Sequence, residues 1–461
     1  MNDIPTAGHT DRMSEIDALM WIVERNPHLR STMTSVATFA GQLDRELVRQ
    51  RVDHMSRVLP RLRQVVKGNP LSIATPRWEY DTKFDLDYHL RWVGVAGDRQ
   101  FTDVLSLAEP LIMHAFDRER PLWEAIVVEG LADNTSAMIL KVHHAVADGL
   151  GAMRMQMELF DFEPGEIDKG AMPEVPTEVP LDQAERTVDA IAHEFNTQRE
   201  AISRGRHFLR NNALHPVGTG KSFIQTTMSA TRLLKPADSA LSPIMTERSL
   251  SVRLDTICLS LSELKAAAKK ADGKLNDAFL AAICLGLQSY HQRMGQPVEV
   301  LRFGVPVSQR DKDDADETGN HWAPVRFELE MCADPIAQMK AIQEHMSQAR
   351  NEPALEWLGS ISGSIRRLPQ TIATSIVTAA MRGTDVEASN VPGSPFPMYL
   401  AGTEMLAQYP FGPTTTAALN VTVLSYQDHL HVGVAMNPAA VTETDAMMDD
   451  LRTGFAQVLA N

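Results

Sequence analysis

The stretch AMILKVHHAVADG, residues 137–149, decides how the rest of the chain is interpreted. Its first six residues are mostly apolar and predict a buried strand, and residues 151–160 predict a helix. His143, His144 and Asp148 therefore lie where a strand gives way to a helix. Backbone geometry at such a junction can aim a side chain into a cleft, so we expect the functional site here.

A second strand-like run, Trp123 to Val128, precedes this stretch. Gly130, Asp133 and Asn134 lie between the two runs, and residues of these types favour turns. The spacing predicts a β-hairpin that carries the HHAVADG motif at its far end.

The chain of 461 residues is too long for one ordinary hydrophobic core. Its apolar fraction of 44% and charged fraction of 22% are typical of a folded protein and exclude a disordered one. The mixture of strand-like and helix-like segments predicts an α/β (α+β) protein. We expect an N-terminal half over residues 1–162, a linker and crossover segment with helices over 163–249, and a C-terminal half over 250–461.

The remaining patterns predict the other helices and strands. Helices are predicted at 13–24, 44–59, 102–114, 182–210, 277–290 and 335–349, and strands at 31–40, 251–261, 298–307, 325–329, 416–426 and 429–436. Residues 78–88 are expected to be irregular. Residues 388–393, ASNVPG, are expected to form a turn.

The net charge of −15 excludes nucleic acid as the main partner, because phosphate binding requires a basic surface. Residues 201–237 reverse this balance locally, with six Lys or Arg residues and no acidic residue. Three interpretations remain open for this segment: a solvated helix face, a site for an anionic cofactor phosphate, or a contact with a lipid surface.

The three cysteines, Cys258, Cys284 and Cys332, lie far apart and include no CxxC pair. That pattern favours reduced thiols in a cytoplasmic protein. The N-terminus has no secretory signal pattern, and the longest apolar run, Leu368 to Met381, is shorter than the roughly 18 residues of a membrane-spanning helix. We expect a cytoplasmic protein that is soluble or peripheral to a membrane.

The HHAVADG motif has three chemical interpretations. The histidines could be packed core residues, with Asp148 capping the following helix. His144 and Asp148, four residues apart, could share a metal ion, although no third ligand motif accompanies them. A histidine could instead act as a general base, because an imidazole with a pKa near 6.5 accepts a proton from a hydroxyl at neutral pH. The chain has no GxSxG motif, which favours direct transfer over a covalent intermediate.

HHxxxDG resembles the active-site motif of CoA-dependent acyltransferases with the chloramphenicol-acetyltransferase-like fold, a motif that condensation domains share. Further motifs follow in order along the chain: RPLWE (120–124), LND (275–277), Gly319-Asn320 and SNVPG (389–393). Together they resemble the bacterial wax ester synthase/diacylglycerol acyltransferase family over essentially the whole chain. The resemblance implies two chloramphenicol-acetyltransferase-like halves with the active-site channel between them.

The resemblance also implies the reaction and its main residues. His144 would be the general base that deprotonates a fatty alcohol or diacylglycerol, whose oxygen then attacks the thioester of acyl-CoA. His143 would support it, and Asp148 with Gly149 would hold the loop. Asp148 would need a cationic partner, for which Arg302 and Arg310 are candidates. No bound cofactor is implied, since acyl-CoA is a co-substrate.

The motifs upstream and midway along the chain each have two interpretations. Pro121, Leu122 and Trp123 form either a packing device or part of the acyl channel. Asn276, with Asp277 beside it, is either a helix cap or a residue near the channel.

Two further groups of residues are equally open. Ser389 and Asn390 either donate hydrogen bonds to the oxyanion of the tetrahedral intermediate or belong to a turn fixed by Pro392 and Gly393. Met residues at 153, 155 and 157 are expected to pack in the core, with a lipid-channel lining as the alternative.

Two rival functions remain on the same fold. One is an acyltransferase with an acyl carrier protein as donor or a specialised alcohol as acceptor. The other is a lipid-binding protein without turnover. The sequence HWAP after Asn320 and the basic segment 201–237 depart from the family pattern and could shift the acceptor preference. Peripheral contact with a membrane or a lipid droplet is expected because the substrates are insoluble in water.

Overall fold

The computed structural model describes residues 12–69, 73–147, 149–165, 169–175, 179–212, 239–308, 322–350 and 358–461. The motif residues Asp148, Gly319 and Asn320, the candidate Arg310 and most of the basic segment lie outside these ranges. In the basic segment, the backbone is described as far as residue 212.

The described helices in chain order are α1 (Glu15–Val23), α2 (Arg45–Val58), α3 (Leu86–His89), α4 (Phe101–Met113), α5 (Gly149–Leu159), α6 (Gln183–Asn212), α7 (Leu261–Lys270), α8 (Leu275–Arg293), α9 (Pro335–Arg350), α10 (Leu358–Arg366), α11 (Gln370–Met381) and α12 (Thr444–Ala460). Short 3-10 turns occur at Pro27–Leu29, Pro60–Arg63 and Ala132–Asn134.

The described strands in chain order are β1 (Thr32–Phe39), β2 (Gln64–Lys67), β3 (Arg77–Tyr80), β4 (Leu90–Gly94), β5 (Trp123–Glu129), β6 (Ser136–His143), β7 (Arg253–Ser260), β8 (Val300–Ser308), β9 (Trp322–Glu330), β10 (Val386–Val391), β11 (Tyr399–Leu400), β12 (Thr403–Phe411), β13 (Leu419–Tyr426) and β14 (His429–Met436).

Two six-stranded sheets form the centre of the molecule. The first has the order β11-β12-β1-β6-β5-β4, and the second has the order β7-β14-β13-β10-β8-β9. Each sheet is mixed, because β4 runs parallel to β5, and β10 runs parallel to both β8 and β13. The predicted α/β class with mixed sheets is confirmed.

The hairpin that carries the motif is confirmed by the antiparallel pairing of β5 with β6. Two local predictions were wrong. Residues 78–88, expected to be irregular, contain most of β3 and the start of α3. Residues 388–391, expected to belong to a turn, continue the interior strand β10. In β3 and β10, pairing with β2 and β13 outweighs the local sequence preference.

The two halves of the chain are interlocked by β12. This strand belongs to the C-terminal half in sequence, yet it pairs with β1 in the first sheet, where Tyr409 is opposite Val36. The same strand also crosses the second sheet, where a Cβ added to Gly433 would lie 1.9 Å from the carbonyl oxygen of Pro410. The predicted division at 249/250 therefore does not separate the two sheets, and as a description of domains it stays a prediction.

The second half is built around α8, which is apolar on nearly all sides. Its residues 278–285 and Leu287 are at most 2% exposed, and the helix packs in one cluster with α12 and the helix-facing side of the second sheet. A helix buried on all sides has to be apolar all round, which explains why it has no polar stripe. This packing gives the second sheet one covered face and leaves its other face toward the N-terminal half.

The crossing of β12 over the second sheet yields a stability prediction. Gly433→Ala is expected to destabilise the protein by about 3 kcal/mol, the upper part of the range for overpacking, because the obstacle is backbone rather than a flexible side chain. Thermal unfolding measures the effect. Gly359→Ala is the matched control, since an added Cβ there meets nothing within 4 Å. Equal unfolding midpoints for the two variants would contradict the tight crossing.

Candidate active site

The first histidine of the motif is fully buried and held in one orientation. The backbone N–H of Ala145 donates to His143 Nδ1 at 3.0 Å, so this nitrogen is an acceptor. The proton of the neutral ring is therefore on Nε2, which lies 2.8 Å from a carboxylate oxygen of Glu24 and donates to it. Both ring nitrogens of His143 are thus occupied by hydrogen bonds within the protein.

The turn after β6 is held by backbone hydrogen bonds from both sides. The N–H of His143 donates to the carbonyl of Leu122 at 3.0 Å, and the N–H of His144 donates to the carbonyl of Ser31 at 2.8 Å. Within the turn, the N–H of Val146 donates to the carbonyl of His143 at 2.9 Å. The position of His144 is thus set by the two neighbours of β6 in the sheet, β5 and β1.

Glu24, just after α1, links His143 to a cation. Its second carboxylate oxygen lies 3.0 Å from the guanidinium of Arg118, which also lies 3.9 Å above the ring of Trp21. Burial alone would raise the pKa of Glu24, but its hydrogen bonds and charge interactions with His143 and Arg118 outweigh burial and lower the pKa below 4.5. The group is therefore a carboxylate at neutral pH.

The second histidine is in a different environment. His144 is half-buried and follows the last residue of β6, in the turn that leads to α5. Gly149 begins α5, as expected for the end of the motif, while Asp148 is outside the described residues. The structure therefore separates a buried His143 from a partly accessible His144.

The RPLWE motif runs alongside the histidines. Leu122 and Trp123 are fully buried, Pro121 is buried, and the indole N–H of Trp123 donates to the carbonyl of Leu62 at 2.8 Å. The Trp123 ring stacks on His89 with 4.6 Å between ring centroids. These contacts support the packing interpretation for Trp123, and a place for this motif in the acyl channel stays a prediction.

Lys141 lies in the strand that precedes the motif, and its side chain is only 1% exposed. Its ammonium group donates to the carbonyl of His114 at 2.8 Å and lies 4.3 Å from the ring of Phe116. Burial, together with nearby arginines, lowers its pKa to about 8. The Phe116 ring meets His143 edge-on at 6.2 Å, so this buried lysine helps to order the wall behind that histidine.

The SNVPG motif of the C-terminal half reaches the same apolar cluster as the histidine motif. Val391, at the end of β10, packs in one cluster with Val146 and Ala147 of the motif and with Leu424 of β13. Because side chains alternate along a strand, Ser389 is on the same face of β10 as Val391, while the exposed Asn390 is on the other. The two motifs thus converge on one cluster, although Ser389 and Asn390 are on a strand and not in a turn.

The second sheet opens beside Ser389. In the described residues β10 is registered with β8 at Val386 and Glu387, whereas it stays paired with β13 as far as Val391. After the strand, Gly393 comes so close to β13 that an added Cβ would lie 1.9 Å from the carbonyl oxygen of Ser425. A side chain at position 393 would clash with β13, which explains why the motif has a glycine there. The gap between β8 and β10 lies beside Ser389.

The LND motif begins α8, as predicted. The Asp277 carboxylate accepts from the N–H of Lys274 at 2.7 Å, which caps the helix, and burial raises the pKa of this carboxyl. Asn276 is half-buried. The capping role therefore belongs to Asp277, and a place for Asn276 near the channel stays a prediction.

Two of the methionines expected to pack in the core lie elsewhere. Of the three methionines after the motif, Met155 is 4% exposed, but Met153 and Met157 are exposed by 41% and 53%, so core packing is wrong for those two. Arg302 donates to the carbonyls of Ser239 and Gly383 and pairs with Glu328 at 2.9 Å. Its pairing with Asp148, which lies outside the described residues, stays a prediction.

Sequence reasoning missed Glu24, Arg118 and Glu387. Glu387 shares its strand face with Ser389, and burial raises its pKa to about 8 against the opposing effect of Arg326. An added Cβ on Gly304 would lie 2.3 Å from the Glu387 carboxylate, so the glycine makes room for it. For Glu24 and Glu387 the sequence signal was an acidic residue in an otherwise apolar element, and Arg118 had no such signal.

Within the described ranges, no group of three or more His, Cys, Asp or Glu residues is arranged to hold a metal ion. In the same residues, no helix is both long and apolar enough to cross a membrane. The described residues therefore supply no third ligand for a metal ion bound by His144 and Asp148.

The arrangement of two mixed sheets, with a histidine motif at the end of an inner strand, is the fold of a solved acyltransferase and of solved condensation domains. The wax ester synthase/diacylglycerol acyltransferase from Marinobacter aquaeolei VT8 aligns with a TM-score of 0.64 and 20% identity, covering 97% of this chain and 98% of that one. The starter condensation domain of rhizomide synthetase, a mutant in complex with C8-CoA and Leu-SNAC, aligns with a TM-score of 0.57 and 13% identity over 97% of this chain and 94% of that one.

The family models place the chain more specifically. Residues 13–279 match the wax ester synthase/diacylglycerol acyltransferase catalytic domain, and residues 318–458 match the C-terminal domain of the same family. A putative diacylglycerol O-acyltransferase of Mycobacterium tuberculosis is 35% identical over 455 residues, covering 98% of this chain and 92% of that protein. The chain belongs to the wax ester synthase/diacylglycerol acyltransferase family and is an O-acyltransferase, which confirms the resemblance.

The pairing of Glu24 with His143 predicts a pH-dependent contribution to stability. Because the pKa of Glu24 is lower in the folded than in the unfolded protein, its contribution is complete above about pH 4.5 and is lost as the pH falls through the folded value. Glu24→Gln is expected to cost about 1.5–3 kcal/mol at pH 7, the value of a hydrogen bond to a charged group, and much less in acid.

Chemical unfolding of wild type and variant at pH 7 and in acid measures this difference. Glu119→Gln is the control, because its side chain is 79% exposed in its ion pair with Lys67. A Glu24→Gln penalty that does not shrink in acid would contradict the assignment of a carboxylate at this position.

Proposed function

We propose that this acyltransferase moves a fatty acyl group from acyl-CoA to the hydroxyl of a long-chain alcohol or a diacylglycerol, with His144 as the general base. The observation that carries the proposal is the division between the two histidines of the motif. Both ring nitrogens of His143 are engaged by Ala145 and Glu24, while His144 is half-buried beside it. His144 is therefore the histidine suited to meeting a substrate hydroxyl.

The donor assignment has separate support. A neighbour with the same fold holds C8-CoA. We assign the same class of donor to this chain because it belongs to the wax ester synthase/diacylglycerol acyltransferase family. The acceptor assignment is supported by the family name, which covers wax esters and diacylglycerol. We propose acyl-CoA as a co-substrate with no bound cofactor.

The reaction proceeds by direct transfer. His144 takes the proton of the acceptor hydroxyl as its oxygen attacks the thioester carbonyl, forming a tetrahedral oxyanion. The oxyanion collapses, the carbon–sulfur bond breaks, and the CoA thiolate takes the proton from the imidazolium. The products are an ester and CoA thiol, and the histidine returns to its neutral state without a covalent enzyme intermediate.

His143 acts in this proposal as a positioning residue. Its ring accepts from the Ala145 N–H, and its backbone is held by Leu122, so it sets the path of the turn that presents His144. Asp148 and Gly149 are proposed to hold the loop at the start of α5. Peripheral contact with a membrane or lipid droplet follows from the insolubility of the acceptors.

The oxyanion requires a hydrogen-bond donor, and Ser389 is better placed for this than Asn390. Ser389 is on the face of β10 that meets the motif cluster, at the gap between β8 and β10, whereas Asn390 is on the opposite face. We therefore assign the oxyanion contact to Ser389.

The general-base assignment predicts that His144→Ala lowers kcat by about 100- to 10,000-fold, the usual cost of losing such a group. Release of CoA thiol from palmitoyl-CoA, with hexadecanol or diacylglycerol as acceptor, measures the rate. His114→Ala, which changes an exposed imidazole, is the matched control and should keep full activity. Substantial activity in His144→Ala would refute the assignment.

The oxyanion assignment predicts that Ser389→Ala lowers kcat by about 100-fold with little change in KM, because the bond is made in the transition state. Asn390→Ala should cause a clearly smaller loss. Steady-state kinetics with the same substrates compares the two neighbours. A larger loss in Asn390→Ala than in Ser389→Ala would reverse the assignment.

A further inference from the structure

Helix α6 presents an apolar stripe to solvent. Val188, Ile191 and Phe195 are spaced by three and four residues, so they lie on one face of the helix, and they are exposed by 68, 54 and 67%. Ala184 and Ala192, also exposed, extend the same face. Between Ala184 and Phe195 the charged residue of this outward face is the exposed Glu185, which lies at its edge beside Ala192.

The opposite face of α6 is polar and contacts the protein. Arg186 forms two hydrogen bonds to the carboxylate of Glu79, at 2.8 and 2.9 Å. Asp189 accepts from Arg77 at 2.9 Å and also pairs with Arg12. Further along the helix, Glu194 lies 3.3 Å from Arg367.

This arrangement reverses the usual orientation of a surface helix, which turns its apolar stripe toward the core. The ion pairs at Arg186, Asp189 and Glu194 occupy more than two turns and fix the rotation of the helix about its axis. These ion pairs therefore keep the apolar face turned toward solvent. An exposed apolar stripe of this kind marks a site of interaction.

The sequence that follows the stripe indicates the partner. Arg199 is exposed on the same face one turn beyond Phe195. After Glu200, residues 201–237 contain six Lys or Arg and no acidic residue. An apolar stripe followed by basic residues is the pattern of a helix that lies in the interface of an anionic membrane. The net charge of −15 leaves the remaining surface repelled by the same membrane, which favours one orientation.

We propose that the outward face of α6 docks on the surface of a phospholipid membrane, with Val188, Ile191 and Phe195 inserted among the lipid chains. The proposal rests on the proposed function in one respect, since a lipid acceptor gives the docking its purpose. Association of two copies through the same face is the alternative that the experiment has to separate from membrane docking.

The test compares binding of the full-length protein to vesicles of phosphatidylcholine and phosphatidylglycerol by flotation. The variant Val188→Gln/Ile191→Gln/Phe195→Gln, which keeps good helix formers and the inward ion pairs, is expected to bind at least tenfold more weakly than wild type. Wild-type binding by this variant would overturn the proposal.

The matched control is Val58→Gln/Leu250→Gln/Leu406→Gln, which removes three other exposed apolar residues, exposed by 38, 49 and 49%. It should bind vesicles as the wild type does. Equal loss of binding in both triple variants would overturn the assignment to α6. Sedimentation velocity without lipid adds a second check: a wild-type dimer that the α6 variant converts to a monomer would also overturn it, as a self-association face.

Two acyl-transfer assays separate this proposal from the proposed function. The α6 variant should keep its rate with octanoyl-CoA and a short-chain alcohol in solution, and lose rate with diacylglycerol embedded in the vesicles. An equal loss with both acceptors would count against docking. A wild type that transfers acyl groups neither to these two acceptors nor to hexadecanol would refute the proposed function, while vesicle flotation would still decide the docking surface.

Discussion

The Glu24 carboxylate accepts the Nε2 proton of His143, and the geometry of the whole histidine motif depends on that bond. It fixes the tautomer, which makes Nδ1 an acceptor for the Ala145 N–H and so sets the turn that carries His144. A buried imidazole with an unsatisfied nitrogen would cost free energy, so the bond also stabilises the end of β6. Arg118 in turn keeps Glu24 charged. The half-buried His144 is therefore presented by a neighbour that has no spare hydrogen-bonding capacity.

The second constraint is the path of β12, which joins both sheets. Strand β12 pairs with β1, and β1 pairs in turn with β6, the strand that ends at the motif. At Gly433, β12 also crosses in close contact with β14. The two halves are thus fixed relative to each other by covalent continuity rather than by surface contacts alone. That is how Val391 of the C-terminal half comes to share an apolar cluster with Val146 of the motif. A site composed from both halves needs this rigidity, since small displacements between reacting groups reduce rate steeply.

Local patterns predicted most of the fold, and long-range pairing accounts for what they missed. The β5–β6 hairpin, α5 and α8 follow from periodicity and turn residues within short windows. Residues 388–391 were expected to belong to a turn because Pro392 and Gly393 follow, yet pairing with β13 extends the strand to Val391. Glu24 lies 119 residues from His143, so no spacing rule could join them. The motif residues could be named from the sequence, but the residues that orient them could not.

The apolar surroundings of the site explain why some polar groups near it are buried and hydrogen-bonded while others are half-buried. Val146, Ala147, Val391 and Leu424 surround the convergence of the two motifs with apolar surface, and a low-polarity environment makes each charge or hydrogen bond inside it count for more. Buried polar groups there must be paired with protein, as His143 and Lys141 are. The groups proposed for the chemistry need access to substrate, and both His144 and Ser389 are half-buried. Apolar walls of this kind would suit the proposed acceptor, because its lipid chain would contact apolar surface while its hydroxyl reached His144. The proposed docking on a lipid surface and the proposed base, whose turn is held by buried hydrogen bonds, would then be two parts of one arrangement.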